Sequence, residues 1–589
     1  MLGLILATVI SLNGEWSFRT ATGIERTVTV PHTWNVEKDT VEYRGKATYA
    51  RELGDVSADR GKTFRVYFNA AYHTAKVSVN GREVGVHVGG YTPFSFDLTR
   101  ALDFAAGAKN VLTVEVDNAP SELNFPFRMK YDWAADGGIY RPVELRVTDG
   151  PGIRYVHVSP SATGDVQVET KLWDGTVKRS SFRVEDARPW HFDNPRLYVH
   201  TEKAGGDERT IRYGFRDFRI DGTAFVFNGE KVRLPGLETM PGSNPKYGMA
   251  EDAAYQRKAM RMLRDANSVI TRFHWCQDGA TYDACDEIGL LVQDELSWWQ
   301  KPDRLSREQK ELAKRLIAEM IEAHYNHPSI VMWCLSNEVT GNGDDLVELA
   351  AFVKSLDPTR PVITVSNETH YRLSRSACYR LDLPTWNDYT GSWYYSGNRE
   401  KLPELLERIH ADAPDRPLFI TEAGVCEPAN AGGDSRRVDD MIYHLREWQR
   451  RPWIPGYIYF CLNDYRTDIG EEGFGADRIR RHGLTDKRLN PKPSYGVFTR
   501  LASPFDITGV KAMDGNRRVR FTLKVRDTIP CYTVRGYLLK YRNANGAEEK
   551  SVRLPEIKPG ADWSIELDDI NSEYAIEICR ADGSVCERY

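Results

Sequence analysis

Residues 330–338 read IVMWCLSNE, an almost wholly apolar run that ends in serine, asparagine and glutamate. A strand apolar at every position is buried on both faces, and such a strand has little reason to finish on a carboxylate. The pattern recurs at 417–422, where PLFITE runs an apolar strand into Glu422. One glutamate closing a strand is ordinarily a solvated loop residue. Two of them, each behind a fully hydrophobic strand, point to a site with paired carboxylates.

Working outward from these two strands, residues 222–502 alternate apolar strands with helical stretches. VRLPGLE, SVITRFHW, GLLVQDE, SIVMWCLSNE, RPVITVSN, DLPTWNDY, PLFITEAG and PGYIYFCLND are separated by helices such as EDAAYQRKAMRMLRDA and REQKELAKRLIAEMIEAHYN, or by long connections. The number of strands and the length predict a (β/α)₈ TIM barrel. An open doubly wound sheet fits less well, because no glycine-rich phosphate loop is present. On the N-terminal side, residues 1–149 alternate in the β manner, with an Asn80-Gly81 hairpin signal, and predict a jelly-roll β-sandwich. Residues 150–221 continue in short strands, the size of an immunoglobulin-like β-sandwich, and 503–589 return to strands as a C-terminal β-sandwich. The fold class is therefore multidomain: three β-sandwiches around one barrel.

Composition narrows the partners. The 589 residues carry 79 basic and 84 acidic side chains, a formal net charge of −5, so nothing attracts a polyanion and nucleic acid is not expected. MLGLILATVI is apolar but too short to span a bilayer and lacks a basic start; it reads as a first strand or the remnant of a trimmed leader. No other stretch is long enough to cross a membrane, so a soluble protein is expected, with cytoplasm and periplasm both open and the oligomeric state open too. The nine cysteines are scattered without a CxxC; Cys579 and Cys586 are expected to face each other across an Asp582-Gly583 turn, with a bridge disfavoured by the wider spacing of such a pair.

In a barrel the chemistry sits at the C-terminal ends of the strands. Those ends carry Glu238; Arg272, His274 and Trp275; Asp294 and Glu295; Asn337 and Glu338; Asn367; Trp386, Asn387 and Tyr389; Glu422; Asn463 and Asp464. Aromatic faces suit the C–H surfaces of sugars, and amides and acids suit hydroxyls. Glu338 closes the fourth strand and Glu422 the seventh, so their side chains can converge above the barrel centre. Two carboxylates about 5–5.5 Å apart serve as acid/base and nucleophile of a retaining glycosidase.

Several motifs, in order, resemble glycoside hydrolase family 2, the family of β-galactosidases, β-glucuronidases and β-mannosidases. NHPSIVMWCLSNE is similar to its acid/base signature, CDEIGLLVQDE and PLFITEAG to its third and seventh barrel strands, and DNPRLY to its immunoglobulin-like domain. LNGEWSF, VSVNGREVGVHVGGYTPFSFDLT and DGGIYRPVEL resemble its N-terminal sugar-binding sandwich. The resemblance implies that Glu338 is the acid/base, Glu422 the nucleophile and Asn337 a ligand of the sugar 2-OH. It also implies that Arg272 orients Glu422 beside His274, that Asn387 and Tyr389 form the Asn-x-Tyr of the sixth strand, and that Asp132 is lent to the barrel mouth by the N-terminal domain. Trp275 is a further expected sugar contact.

The departures concern specificity. Phe460 stands where the eighth strand usually supplies Trp, Ala423 follows the nucleophile where Tyr is common, and Leu237-Glu238-Thr239-Met240 replaces an HE pair, which leaves no metal ligands expected. Glucuronide-cleaving members carry an Asn-x-Lys motif where this chain has RIRRHGLTDK. Arg480 and Arg481 are expected to form a solvated basic face, although an arginine clamp for a carboxylate is the other reading. The expectation is an exo-acting retaining β-glycosidase with no cofactor, acting on an oligosaccharide or other glycoside, with a β-galactoside first and a β-glucuronide, β-mannoside or β-galactofuranoside next. A non-catalytic carbohydrate-binding protein on an inactive barrel is the alternative of another class, disfavoured because both glutamates are present. A metal-dependent hydrolase is disfavoured by the lack of HxH.

Overall fold

The computed structural model describes residues 7–127, 130–341, 343–427, 430–469, 477–513, 517–543, 545–546, 548–570 and 575–588. Its centre is a parallel barrel of β1 (Leu234–Leu237), β2 (Ile270–Phe273), β3 (Leu291–Glu295), β4 (Ile330–Asn337), β5 (Val362–Val365), β6 (Thr385–Asn387), β7 (Phe419–Glu422) and β8 (Gly456–Tyr459). The strands run in the order β5-β4-β3-β2-β1-β8-β7-β6, so β1 pairs with β8. The seam between β5 and β6 is bridged where the Asn387 N–H donates to the Ser366 carbonyl at 2.8 Å and the Thr385 hydroxyl to the Thr364 carbonyl at 2.6 Å. Every residue of the eight strands is buried, which is why they read as unbroken apolar runs rather than alternations.

Helices cover the barrel, and their starts are fixed locally. The 18-residue helix α3 (Arg307–His324; α1 is Ala253–Asp265 and α2 Gly279–Ile288) begins with a reciprocal capping box between Ser306 and Gln309. Its apolar stripe, Leu312, Leu316, Ile317, Met320 and Ile321, faces the barrel.

The N-terminal sandwich stacks a six-stranded sheet on a four-stranded one, with Trp16, Phe18, Tyr49, Phe64, Val114 and Leu145 between them. Asn80 and Gly81 both have positive φ (52° and 77°) and join Val79 to Arg82 as a two-residue hairpin. The first strand is Ala7–Ser11; the rest of the apolar start lies outside the described residues. A small sandwich follows, with strands Ile153–Pro160, Asp165–Leu172, Val177–Arg183, Tyr198–Ala204 and Asp207–Tyr213, and then a three-stranded hairpin sheet, Phe218–Val232, leads into β1.

The C-terminal sandwich, with sheets of three and four strands, lies under the N-terminal ends of the barrel strands. One apolar cluster joins Leu234, Ile270 and Leu291 of the barrel floor to Tyr532, Tyr537 and Leu539. All nine cysteines are free. Cys579 sits opposite Val585, because a bulge shifts the register, so the expected facing pair with Cys586 does not form. Among the described residues no helix is long and apolar enough to cross a membrane.

Three parts of the chain meet at Asp193. Its Oδ1 accepts from Arg264 Nη2 of α1 at 2.8 Å and from the Tyr537 hydroxyl of the C-terminal sandwich at 3.0 Å, and the side chains of Arg264 and Asp193 are 0% and 1% exposed. Removing one partner of a buried pair costs about 3–5 kcal/mol, because the other charge stays desolvated. Asp193→Ala is therefore expected to lower the melting temperature by several degrees. An unaltered melting curve would show that the junction does not hold the domains together.

Candidate active site

Arg272 ends β2 with its guanidinium fully buried. Nη1 donates to Glu422 Oε1 at 2.5 Å and to Glu238 Oε2 at 3.3 Å, while Nε donates to Glu295 Oε2 at 2.9 Å. The second oxygen of Glu422 accepts from the Tyr389 hydroxyl at 2.7 Å, and His274 Nε2 lies 3.7 Å from Oε1. Glu422 therefore has both oxygens held by donors from β2 and from the loop after β6.

Glu338 is held differently. It follows β4 with φ 57°, a left-handed backbone uncommon for any residue but glycine, and its N–H is fixed by the Val365 carbonyl at 2.9 Å. Its carboxyl oxygens accept only from amides: Asn387 Nδ2 at 2.9 Å and Gln300 Nε2 at 3.0 Å. Asn387 is locked in turn, donating to Asn337 Oδ1 at 3.1 Å and accepting from the Thr421 hydroxyl at 2.9 Å. Burial and then the Glu422 charge raise the Glu338 carboxyl above the ordinary carboxylate range, against the opposing hydrogen bonds of Asn387 and Gln300. One carboxyl faces a guanidinium and the other faces neutral amides, the asymmetry an acid paired with a nucleophile requires.

The N-terminal sandwich sends an arm into the barrel mouth. At its root Gly137 has no room for a side chain, since a Cβ would lie 1.9 Å from the Trp34 ring, and Gly138 has φ 146°. Asp136, two residues before Gly138, pairs with Arg466. The arm delivers Trp133, stacked on His274 with ring centroids 5.6 Å apart, and Asp132. Asp132 accepts from the Tyr465 hydroxyl at 3.0 Å and the Thr467 hydroxyl at 3.1 Å, and pairs with Arg480 Nη1 at 2.6 Å. Burial raises the Asp132 carboxyl, with Arg480 opposing.

These groups enclose a pocket of about 230 Å³ lined by Asp132, Trp133, His274, Trp299, Gln300, Asn337, Glu338, Asn367, Tyr389, Trp393, Tyr394, Glu422, Phe460 and Arg480. Eight residues singled out from the sequence for the site are on its wall: Glu338, Glu422, Asn337, Asn367, Asp132, His274, Tyr389 and Phe460. Arg272 and Asn387 stand one layer behind, where they position the two glutamates rather than meet a ligand. Trp275 is buried behind Trp133, at 4.9 Å between centroids, so it packs and is not a pocket contact. The adjacent Trp298 is buried off the pocket, while Trp299 lines it.

The main correction concerns the basic cluster. Arg480 is not on a solvated face: its side chain is 12% exposed, it lines the pocket, and it lies 5.7 Å from the Trp393 ring. Arg481 does point outward, to Asp477. Between them and Gly483, His482 is buried against Phe460 and Tyr465, and burial with Arg480 nearby holds it well below the ordinary histidine range. Sequence reading also missed Trp133, Gln300, Trp393 and Tyr394; the aromatic density of YTGSWYY after Asn387-x-Tyr389 was the available signal for the last two.

Glu238, His274 and Glu422 bring ligand atoms within 4.8 Å of one another, spacing a cation could use. The Arg272 guanidinium already bonds both carboxylates, and a second cation there would meet its charge.

Comparison with known proteins places this geometry. Residues 3–148 match the family model of the glycosyl hydrolases family 2 sugar binding domain, and residues 218–486 match that of the family 2 TIM barrel domain. A β-galactosidase of Thermoanaerobacter pseudethanolicus is 30% identical over 81% of this chain and 67% of its own length. A putative β-glucuronidase of Formosa agariphila is 26% identical over 80% of this chain, which spans 66% of that relative. Among solved structures, a family 2 β-galacturonidase from Eisenbergiella tayi bound to galacturonate superposes with a TM-score of 0.73 at 26% identity, covering 84% of this chain and 97% of its own.

The mutual influence of the two glutamates is measurable. If Glu422 helps hold the proton on Glu338, Glu422→Gln removes a negative charge and should shift the Glu338 titration to lower pH, followed by carbon NMR of the labelled carboxyl. In the wild type the same proton is lost as pH rises through the raised value, so the alkaline limb of kcat/KM should report it. A Glu338 titration that stays put or moves upward in the variant would break the coupling.

Proposed function

The chain belongs to glycoside hydrolase family 2, and from that membership we propose that it is an exo-acting, retaining β-glycosidase. The observation that carries the reading is the unlike support of two carboxylates in one small pocket. Glu338, amide-bonded and raised by burial, protonates the glycosidic oxygen. Glu422, oriented by Arg272 and Tyr389, attacks the anomeric carbon and forms a glycosyl-enzyme. Glu338, now ionised, then takes a proton from the water that releases the sugar. Asn337, on the wall beside Glu338, is placed to bond the sugar 2-OH, a contact that strengthens in the transition state. The pocket has room for one ring, which supports removal of terminal, non-reducing residues.

The sugar is read from Arg480. A guanidinium on the pocket wall can grip a C6 carboxylate bidentately, which favours a terminal β-uronide over a neutral sugar. The relatives named above divide between a putative β-glucuronidase and a β-galacturonidase on one side and a β-galactosidase on the other. The second reading, a β-galactoside, draws on the Asp132–Arg480 pair: with the charge answered internally, Asp132 has an oxygen to offer a hydroxyl.

Nitrophenyl glycosides decide between the two readings. The β-glucuronide or β-galacturonide should be cleaved at least about tenfold better than the β-galactoside, as a charge-assisted contact of ~1.5–3 kcal/mol implies. Arg480→Ala should erase that preference and Arg480→Lys restore part of it. A galactoside preference in the wild type would make the neutral sugar the substrate. The carboxylate roles are separable on whichever sugar is cleaved: azide should give the α-glycosyl azide with Glu422→Gly and the β-azide with Glu338→Ala. Exchanged products would reverse the two assignments.

A further inference from the structure

Among the described residues, three aromatic side chains are more than a third exposed: Tyr371 at 71%, Trp393 at 38% and Tyr395 at 37%. They are not scattered. All three lie on the loops that leave β5 and β6 at the C-terminal mouth of the barrel. His370 joins the two loops, with ring centroids 4.0 Å from Tyr371 and, on the other loop, 4.8 Å from Tyr394 and 5.8 Å from Tyr395, which flanks Tyr394 opposite Trp393 in sequence. Trp393 and Tyr394 also line the catalytic pocket, so the exposed aromatic surface is continuous with it.

The loop that presents this surface is built for it. It folds back on Tyr389, the residue that orients Glu422, through the Tyr394 N–H to the Tyr389 carbonyl at 3.1 Å and the Gly391 N–H to the Tyr394 carbonyl at 2.9 Å. Tyr395 adopts φ 60°, a left-handed conformation that is costly for a bulky side chain, and its carbonyl is held by the Asn398 N–H at 2.8 Å. Strain and exposed aromatic area in the same few residues are two costs to the fold, and neither contributes to the core. The other exposed large hydrophobics are valines and one isoleucine on the sandwiches and their connections, and none is aromatic.

We propose that Tyr371, Trp393 and Tyr395 form a binding platform for the leaving-group side of the substrate, and that its occupant is the sugar chain of a β-linked glycan. The inference rests on the glycosidase reading above and extends it outward from the pocket. A pyranose ring offers an apolar C–H face for stacking and a rim of hydroxyls for hydrogen bonds. The mouth supplies both, because Asn367 lines it beside the aromatic groups and Glu368 follows on the same loop. A purely aromatic leaving group would cover the Asn367 amide without offering it a hydrogen bond. The pocket selects the terminal ring, and the platform selects what that ring is attached to.

The test uses the full chain and three substrates sharing whichever terminal sugar the enzyme cleaves: the β-glycosyl fluoride, which has no leaving-group ring, the nitrophenyl β-glycoside, and a β-linked trisaccharide. The readout is kcat/KM for each ring-bearing substrate divided by that for the fluoride, so any general damage cancels. In a Tyr371→Ala/Trp393→Ala/Tyr395→Ala variant the trisaccharide ratio should fall about tenfold or more, the sum expected of several stacking contacts. Tyr371→Ala alone, the most exposed site, should lower it by about threefold. A trisaccharide ratio unchanged in both variants overturns the platform, and a fall confined to the nitrophenyl ratio overturns the glycan as its occupant. If the wild type cleaves none of the three, it is the glycosidase reading that fails.

Discussion

A guanidinium with no exposed surface organises the catalytic end of the barrel. Arg272 bonds Glu238 after β1, Glu295 at the end of β3 and Glu422 at the end of β7. An unpaired charge at that depth would cost several kcal/mol, so these strand ends cannot separate without exposing the guanidinium. Three carboxylates against one arginine would leave the cluster negative. His274 is raised in compensation, as the attraction of Glu238, Glu295 and Glu422 outweighs burial and Arg272. Glu238 is raised, by burial and then by Glu422 and Glu295, against Arg272 and His274. Glu295 shows the opposite outcome: although burial opposes it, Arg272 and His274 hold its carboxyl below the ordinary range. The orientation of Glu422 thus depends in part on Arg272, Glu238 and Glu295, none of which lines the pocket.

The same logic explains why the N-terminal sandwich is part of the site rather than an appendage. Trp133 walls the pocket against His274, and its indole N–H is satisfied by the Tyr91 hydroxyl at 2.8 Å within its own domain. Arg141 then carries the junction, donating to the Tyr91 carbonyl and to the Cys276 carbonyl of the barrel, both at 2.7 Å. On the other side of the arm Asp136 accepts from the Met249 N–H at 3.0 Å and pairs with Arg466. Bonds on both flanks fix Asp132 to the barrel although it comes from a separate domain.

Much of this was legible in the sequence because its cause is local. Two unbroken apolar runs that each end on a glutamate, within a series of eight strands, read as barrel strands delivering side chains to the rim, and the IVMWCLSNE and PLFITE readings rest on that pairing. What could not be read is depth. Arg272, Asn387 and Trp275 share strand ends with the pocket residues, yet they stand one layer back, and nothing in their spacing separates a side chain that meets a ligand from one that holds its neighbour. Arg480 failed for the opposite reason. A run of basic residues in a loop is usually solvated, and the partners of this arginine, above all the distant Asp132 brought in by another domain, hold it inward. Long-range pairing of that kind leaves no local trace.

Chemistry and selectivity are therefore divided by the kind of backbone that carries them. Glu338, Glu422 and the residues that position them sit at or beside the ends of fully buried strands, where moving a side chain means disturbing the barrel. Arg480, Trp393 and Asp132 sit on loops or on the sandwich arm, where a change alters the pocket wall at little cost to the core. The Asp132–Arg480 pair is the hinge of that division: it joins segments of different domains and answers each buried charge with the other. A single substitution at either end unbalances the pair. A change at this wall that keeps the pair balanced therefore involves both loops, while Glu338 and Glu422 below remain as they are.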